Sequence, residues 1–539
     1  MASNFGFEVN LTDRNANPMI GIVVEAVDIN LFTNAAPDPI HYIAGLATTD
    51  ISGTARFYNL PIGDYYARPR ITHREDMRIQ VTKPSGMGGG GKACYAALVE
   101  SHGLGSHTTI QSAITALGLT GGAIFICGGT YTEDLTIAAN TKGLWLVGAA
   151  RDTVILIGVG ARTITVNAAG AGTVEGLRIE HLSINGNAGT AIWFDSVAGG
   201  LPSNVTLTDL YISNAAVGID MSDLNGGVDW LIDNVDMPTT VVAAGQFEVI
   251  RLNLTNCRWS CSGTGPYFGG ASGISDLKVS NSTFYGGGTY VVEIRNVITA
   301  LVSGCYIVGT GAGTSGIYLA STLTNLEITS CIITMVAGVA INAGSALGIT
   351  GLTISDVQAS CTVPQTPDRI GFDLTPAGLT ELVLTGCRLK NFESYGIRLG
   401  ATDNYVISDT IIINGGDCHS IYLLATADYG TITACVLQGT GGVATTYGIY
   451  GAAGVTWTTI VGNLSRLHDD ITNLVNGTDN NVVGGNNPTG AGGSTFMVEH
   501  GDNWHIGRIE DAGAILPGAS VDGEQFYLTT DQHLYIYNV

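Results

Sequence analysis

Apolar and polar positions recur along this chain in a short phrase that returns about every 25 residues. Numbered from its first residue, position zero, the phrase starts at Leu177, Val205, Trp230, Leu252, Leu277, Ala300, Leu326, Leu352, Leu382, Tyr405, Gly430 and Thr458. Positions zero and two are mostly aliphatic or aromatic, the alternation of a strand with one buried face. Position three is nearly always Ser or Thr, and position four is a turn former such as Asp209, Asn256, Gly304 or Asp409. Position five points inward again. A second phrase follows some 15–20 residues later: "AIWF" at 191, "GIDM" at 218, "VVEI" at 291, "GIYL" at 316, "GFDL" at 371, "GIRL" at 396, "SIYL" at 420 and "YGIYG" at 447. Each repeat thus predicts two or three short strands joined by sharp turns, with no room for a helix.

One such repeat cannot bury its own apolar face, but a stack of them can. The prediction is an all-β chain folded as a parallel β-helix, with coils about 4.8 Å apart. Twelve aligned coils would extend roughly 55–60 Å at that spacing. Like positions then form columns. Five of the ten cysteines (Cys257, Cys305, Cys331, Cys387 and Cys435) occupy position five, shared with Leu, Val, Ser and Thr. Side chains stacked in one column run parallel, whereas a disulfide needs Cβ atoms turned toward each other and a metal needs ligands that converge. Packing as small apolar groups is the expected role. Cys94, Cys127, Cys261, Cys361 and Cys418 show no ligand spacing, and no metal or cofactor is expected.

A helix is predicted near 108–117, with Thr108 and Gln111 as a capping box and Ile110, Ala113, Ile114 and Leu117 on one face. It would cover the open edge of the first coil. Residues 1–75 alternate as strands of a small β-sandwich. Residues 76–92 read as a linker that includes the glycines of "TKPSGMGGGGKA". The β-helix is expected over 93–485. A tail over 486–539 ends in "DGEQFYLTTDQHLYIYNV", a candidate hairpin.

Composition narrows the functional classes. The 539 residues include 75 glycines, only 12% are charged, and the formal net charge is −23. That balance argues against nucleic acid or an anionic membrane as partner, since both need basic patches. "MASNFGFEVNLTDRN" has no basic n-region or apolar core of a secretory signal, so synthesis in a cytosol is expected.

The run "TIQSAITAL…GGAIFICGGTYTEDLTI…GLWLVGAARDTVILIG" resembles the opening of the pectin-lyase-like superfamily, which includes pectin methylesterases and phage tailspikes. The resemblance covers about residues 93–485 and implies a right-handed parallel β-helix. It selects no activity, because members with different chemistry share it. "TTDISGTARFYNLPIGDYYAR" resembles the transthyretin-like or carboxypeptidase-regulatory β-sandwich, with Gly53, Phe57, Leu60, Pro61, Gly63 and Tyr65 in matching places. The C-terminal "FY…TD…LY.Y" is similar to closing segments of phage fibre proteins. The three parts in this order resemble a tailed-phage spike or fibre. That implies a virion location, attachment to other virion proteins through the N-terminal domain, a homotrimer, and a host surface glycan as ligand, with neither nucleic acid nor membrane insertion.

Candidate chemistry lies on the outward residues of the second strand: Trp193, Asp220, Glu293, Tyr318, Asn342, Asp373, Arg398, Tyr422 and Tyr450. Aromatic faces suit sugar rings, and Asp, Asn and Arg suit hydroxyls. The same stripe could instead be covered by a neighbouring subunit or a long turn. Asp220, Glu293 and Asp373 stand three coils apart, roughly 14 Å at 4.8 Å per coil, too far to act as a glycosidase pair. Asp373 and Arg398, on adjacent coils, are expected to form an ion pair. The relatives' catalytic phrases do not carry over. The methylesterase-type Asp-Phe-Ile-Phe-Gly is absent, "GGDCHS" (Asp417, His419) is an incomplete polygalacturonase motif, and "VDWLIDN" lacks the lyase histidine, its Trp230 and Ile232 fitting inward positions. No Ser-His-Asp or HExxH motif occurs, His102, His107, His181, His419, His468 and His505 are scattered, and no catalytic residue is assigned. Three readings follow: a polysaccharide-binding virion spike, a polysaccharide hydrolase or lyase, and a structural decoration of the particle.

Overall fold

In the computed structural model, side chains are described over residues 97–468 except 101–105, 168–171, 196–201, 222–226, 271–272, 312, 344–347, 363–368, 376–377, 415–417, 425, 441–446, 453–454 and 467. Beyond that range strand backbones alone are described. The chain divides into two compact units, 1–95 and 96–539.

The larger unit is a parallel β-solenoid, and strand pairing follows the repeat residue by residue. Val205 pairs with Trp230, Trp230 with Leu252, Leu252 with Leu277, and Leu277 with Ala300. The same column continues through Leu326, Leu352, Leu382 and Tyr405, and the register extends through Gly430 to Thr458. The strands bearing this phrase form what is called below the repeat sheet. Its position-two residues, among them Ile179, Leu207, Ile232, Ile354 and Ile432, are wholly buried.

A left-handed backbone corner follows each short strand of the phrase, and a second precedes most of them. Position four has positive φ from His181 (61°) and Asp209 (52°) through Asn256 (54°), Ser330 (53°) and Ala434 (54°) to Gly462 (67°). Position minus one has it at Asn204 (55°), Asp229 (61°), Glu381 (60°), Tyr429 (56°) and Trp457 (54°). Asn, Asp and Gly tolerate this region best, which explains their recurrence. The carbonyl of position three accepts a backbone N–H from the coil before, as Ser303 O does from Asn281 N at 3.0 Å and Thr329 O from Gly304 N at 3.1 Å, and keeps a lone pair for a second donor. The thiol at position five provides one. Cys257 Sγ lies 3.2 Å from Thr255 O, Cys305 Sγ 3.4 Å from Ser303 O, Cys331 Sγ 3.3 Å from Thr329 O, and Cys435 Sγ 3.3 Å from Thr433 O. Where cysteine is replaced, Ser282 and Thr410 donate to the equivalent carbonyls at 2.8 and 2.9 Å. These thiols are buried and unbridged. They pack, as expected from the sequence, and they also close the corner as weak donors.

The capping helix runs Ile110–Leu117. Its N-cap is Thr109, whose hydroxyl accepts from Ser112 N; Thr108, expected to cap, lies one residue outside. Glu133 accepts the N–H groups of Ile110 and Gln111 at 2.8 and 2.9 Å. Gln111 does not complete a capping box. Its amide instead pairs with the backbone of Thr136, accepting from N at 2.7 Å and donating to O at 3.3 Å, as a neighbouring strand would. Ile110, Ala113 and Ile114 are buried against the first coils, and Gly118 (φ 59°) ends the helix.

In the smaller unit, Phe5–Asp13 pairs antiparallel with Thr54–Leu60 and with Met77–Thr82, and Val23–Asp28 pairs with Ile43–Thr48 and Tyr65–Pro69. Met77–Thr82 falls in the segment read as linker. At the C-terminus Gln525–Leu528 and Leu534–Tyr537 form the expected antiparallel hairpin. The glycine run of the linker, Cys94, His102, Asp417, His505 and residues 489–524 lie outside the described residues.

Candidate carbohydrate-binding face

The second strands stack into their own sheet, called here the ladder sheet. Trp193 pairs with Asp220, Glu293 with Tyr318, Tyr318 with Asn342, Asn342 with Asp373, Asp373 with Arg398, Arg398 with Tyr422, and Tyr422 with Tyr450. All nine residues chosen from sequence therefore share one column. Two coils of that column went unnoticed in the sequence. Gln246 and Tyr267 bridge Asp220 to Glu293, since Met221 N donates to Gln246 O at 3.0 Å, Gln246 pairs with Tyr267, and Tyr267 with Glu293. The three-coil separation of Asp220 and Glu293 holds.

The column is less open than alternation implies. Trp193 is 7% exposed beneath the guanidinium of Arg162, Asp373 is 6% exposed, and Glu293 is fully buried. Asp220, Tyr318, Asn342, Arg398, Tyr422 and Tyr450 are half-buried. The cover comes from a parallel column three residues earlier on the same face. Tyr290 stacks on Tyr318 with centroids 5.5 Å apart, and Tyr395, His419 and Tyr447 lie beside Arg398, Tyr422 and Tyr450. Two consecutive residues between these columns are buried, as with Gly396 and Ile397 or Ser420 and Ile421, so the strand breaks strict alternation there. That break explains why a period-two reading missed the second column. Its signature, a polar or aromatic residue, two small or apolar residues and another polar or aromatic one, is visible in "YGIR", "HSIY" and "YGIY".

Two chemical neighbourhoods result. The first is an aromatic plate. Tyr422 and Tyr450 stack at 5.2 Å with planes 1° apart, His419 lies 4.6 Å from Tyr450, and Tyr395 lies 4.8 Å from Tyr422. The rings partly cover one another's faces, leaving edges and phenol groups for a ligand. Burial, then the neighbouring Tyr395 and Tyr450, raises the Tyr422 pKa, so its hydroxyl remains a donor. Burial lowers the pKa of His419, and Tyr447 N–H donates to its Nδ1 at 3.0 Å, which places the ring proton on Nε2. Arg398 closes the plate with a two-point ion pair to Asp373, Nε to Oδ1 at 3.0 Å and Nη2 to Oδ2 at 2.5 Å, the pair expected from the sequence.

The second neighbourhood is a cleft of about 580 Å³ between Val217 and Arg295. Buried Glu293 accepts from Arg295, whose guanidinium lies 5.2 Å from the centre of the Tyr267 ring. Tyr290 is pushed up to about 12 by burial and by its hydrogen bond to Glu293. Glu248, hydrogen-bonded by Gln246, reaches over the next coil, filling the place where a side chain on Gly270 would stand. Tyr267 is therefore flanked by one carboxylate from the coil before and one from the coil after, and burial raises its pKa. Sequence reasoning missed Glu248 because it sits outside the column, two residues beyond Gln246. Among the described residues no group of three His, Cys, Asp or Glu side chains could hold a metal.

His107 meets Ser112 at the helix start, His181 pairs with Asp209 at 2.7 Å, and His468 bonds buried Ser420 at 2.9 Å. Trp230 and Ile232 are buried, as their inward positions required, and Trp230 Nε1 donates to Pro202 O.

No family model and no curated protein matches the chain. Among solved structures it is similar to tailspike protein 3 of bacteriophage CBA120, at 13% identity over 79% of this chain and 64% of that one, with a TM-score of 0.41. It is also similar to the catalytic domain of a GH87 α-1,3-glucanase, at 11% identity over 90% and 89% of the two chains, with a TM-score of 0.34. A third is the A-module of the mannuronan C-5 epimerase AlgE4 of Azotobacter vinelandii, at 12% identity over 70% and 94%, with a TM-score of 0.32. Likeness at this level does not bear on chemistry.

Proposed function

We propose that this protein is a spike or fibre protein of a bacteriophage virion that binds host surface polysaccharide along the ladder sheet. The aromatic plate carries this reading. Five rings and an Arg–Asp pair are held by consecutive coils, so their spacing of about 4.8 Å is set by the backbone before any ligand arrives. That spacing is close to the length of a hexose unit, and pre-ordered groups avoid the entropy cost of being ordered by the ligand. The order of the three parts supports a virion location, with other virion proteins meeting the N-terminal unit and three copies associating through the tail. Binding of the purified full-length chain to an array of bacterial surface polysaccharides tests the reading. Tyr395→Ala, Tyr422→Ala and Tyr450→Ala together should weaken binding at least about tenfold, ~1.4 kcal/mol. Unaltered binding removes the plate as the site.

Cleavage of the bound glycan is the second reading, favoured by Glu248 and Glu293 on either side of Tyr267. Their coils are two apart, roughly 10 Å between backbones, and the lean of Glu248 over Gly270 shortens this toward the separation of a hydrolase pair. New reducing ends without absorbance of an unsaturated product would mark a hydrolase; both together would mark a lyase. Glu293→Gln and Tyr267→Phe should each abolish either signal. A wild-type chain that binds glycan and releases no ends leaves binding alone.

A further inference from the structure

A second groove runs along the outer surface of the repeat sheet, away from the ladder face. It encloses about 720 Å³ between positions one and minus one of successive strands. Trp145, Arg178 and Lys278 belong to position one; Asp229, Arg251 and Asp276 belong to position minus one. The register runs from Trp145 to Arg178, then by way of Thr206, Leu231 and Asn253 to Lys278. Arg178 and Lys278 are thus four coils apart, roughly 19 Å at 4.8 Å per coil.

The charges in this groove are distributed unevenly. Arg251 is occupied by Asp229, with Nε to Oδ1 at 2.5 Å and Nη2 to Oδ2 at 2.7 Å, and it also feels Asp276. Arg178 and Lys278 are exposed, and among the described residues neither has a carboxylate partner. Three cations against two carboxylates leave the groove one positive charge in excess, in a chain of net charge −23. At the Arg178 end the guanidinium sits 5.7 Å from the centre of the half-buried Trp145 ring, and Trp145 Nε1 has no acceptor among the described residues. The corners beside that end are Gly143 and Gly176, with φ of 61° and 69°, so no side chain walls off the ring there. An aromatic floor at one end, an isolated cation at each end, and hydrogen-bonding Thr206 and Asn253 between them fit an extended chain with regularly spaced anions.

We infer that this groove binds an anionic polysaccharide segment of about four sugar units, lying parallel to the stacking axis. Carboxylate or phosphate groups of the segment would meet Arg178 and Lys278, and one sugar ring would lie against Trp145. This is a separate site from the aromatic plate and does not depend on it.

Calorimetric titration of the full chain at low salt tests the inference with three probes: a polygalacturonate hexamer, a short poly(glycerol phosphate), and maltohexaose as the neutral control. At least one anionic probe should bind, the neutral one should bind at least tenfold more weakly, and raising the salt should weaken the anionic complex. Arg178→Ala with Lys278→Ala should weaken it at least tenfold, whereas Arg178→Lys with Lys278→Arg should retain it. Tyr422→Ala with Tyr450→Ala should leave it unchanged, which separates failure here from failure of the plate. Which anionic probe prevails identifies carboxylate or phosphate as the recognised group. Equal binding by the double-alanine variant, equal binding of maltohexaose, or no binding of either anionic probe overturns the inference. The two cations are exposed, and unchanged melting of the variants verifies that folding is intact.

Discussion

Tyr405, Gly430 and Thr458 are consecutive residues of one inward column, and in the sequence the last two look like breaks in an apolar pattern. They are one packing unit. A Cβ on Gly430 would stand 1.9 Å from Tyr405 Cζ, because the tyrosine ring occupies the interior of the next coil as well as its own. Its hydroxyl reaches across that coil to Thr458 Oγ1 at 2.9 Å. Gly430→Ala should therefore destabilise by about 3 kcal/mol, and Tyr405→Leu in the same chain should recover most of that loss, although Tyr405→Leu alone is destabilising. Urea unfolding of the double-mutant cycle checks this, and additive losses would refute it. A second residue-scale prediction concerns His419. Its folded pKa lies below the ordinary 6.5, so an unfolded chain takes up the proton first as pH falls. The stability this site contributes is full above about pH 6.5 and is lost as the pH falls through the lowered folded value. Melting temperatures between pH 7.5 and 5 should drop less in His419→Gln than in the natural chain.

The capping helix shows what a short element can do for a solenoid. Eight residues are too few to be stable alone, so the helix depends on Glu133 at its start and on its buried Ile110–Ala113–Ile114 face. Gln111 adds a strand-like pairing to Thr136, occupying backbone groups that an incoming strand would otherwise take. Glu133→Ala should cost about 1–2 kcal/mol, since two helix N–H groups lose a charged acceptor. Glu133→Ala with Gln111→Ala should also raise light scattering on mild heating. Loss of stability without added scattering would show that the edge is guarded by something else. The helix and its apolar face were readable from the 3.6-residue period. Glu133 as the cap was not, because it comes from the connection between two strands, 23 residues away.

On the scale of the whole molecule, a solenoid's coils touch mainly their nearest neighbours, and its core is a set of columns. The proposed trimer adds contacts that a single chain lacks. Removing residues 486–539 should convert trimer to monomer in light scattering while the solenoid's circular dichroism persists; an unchanged mass would take the tail out of the interface. The ladder face and the repeat-sheet groove lie on different sheets of the solenoid, so one chain has room for two ligand segments at once. Neither site has a contiguous motif in the sequence. The plate draws on residues from 373 to 450, and the groove on residues from 143 to 278.

Register is written into the sequence repeat by repeat. Alternation and the left-handed corner at position four are local properties, so each repeat states them again, and eleven successive alignments from Leu177 to Thr458 agree with the observed pairing. Tertiary structure alone decided what each column faces. Turns of unequal length separate the two strands of a coil, two adjacent buried residues put Tyr395 and His419 on the same face as Arg398 and Tyr422, and Glu248 crosses to the coil of Gly270. These are contacts between residues some 20–30 positions apart in the chain, and only the closing of the coils brings them within reach of one another.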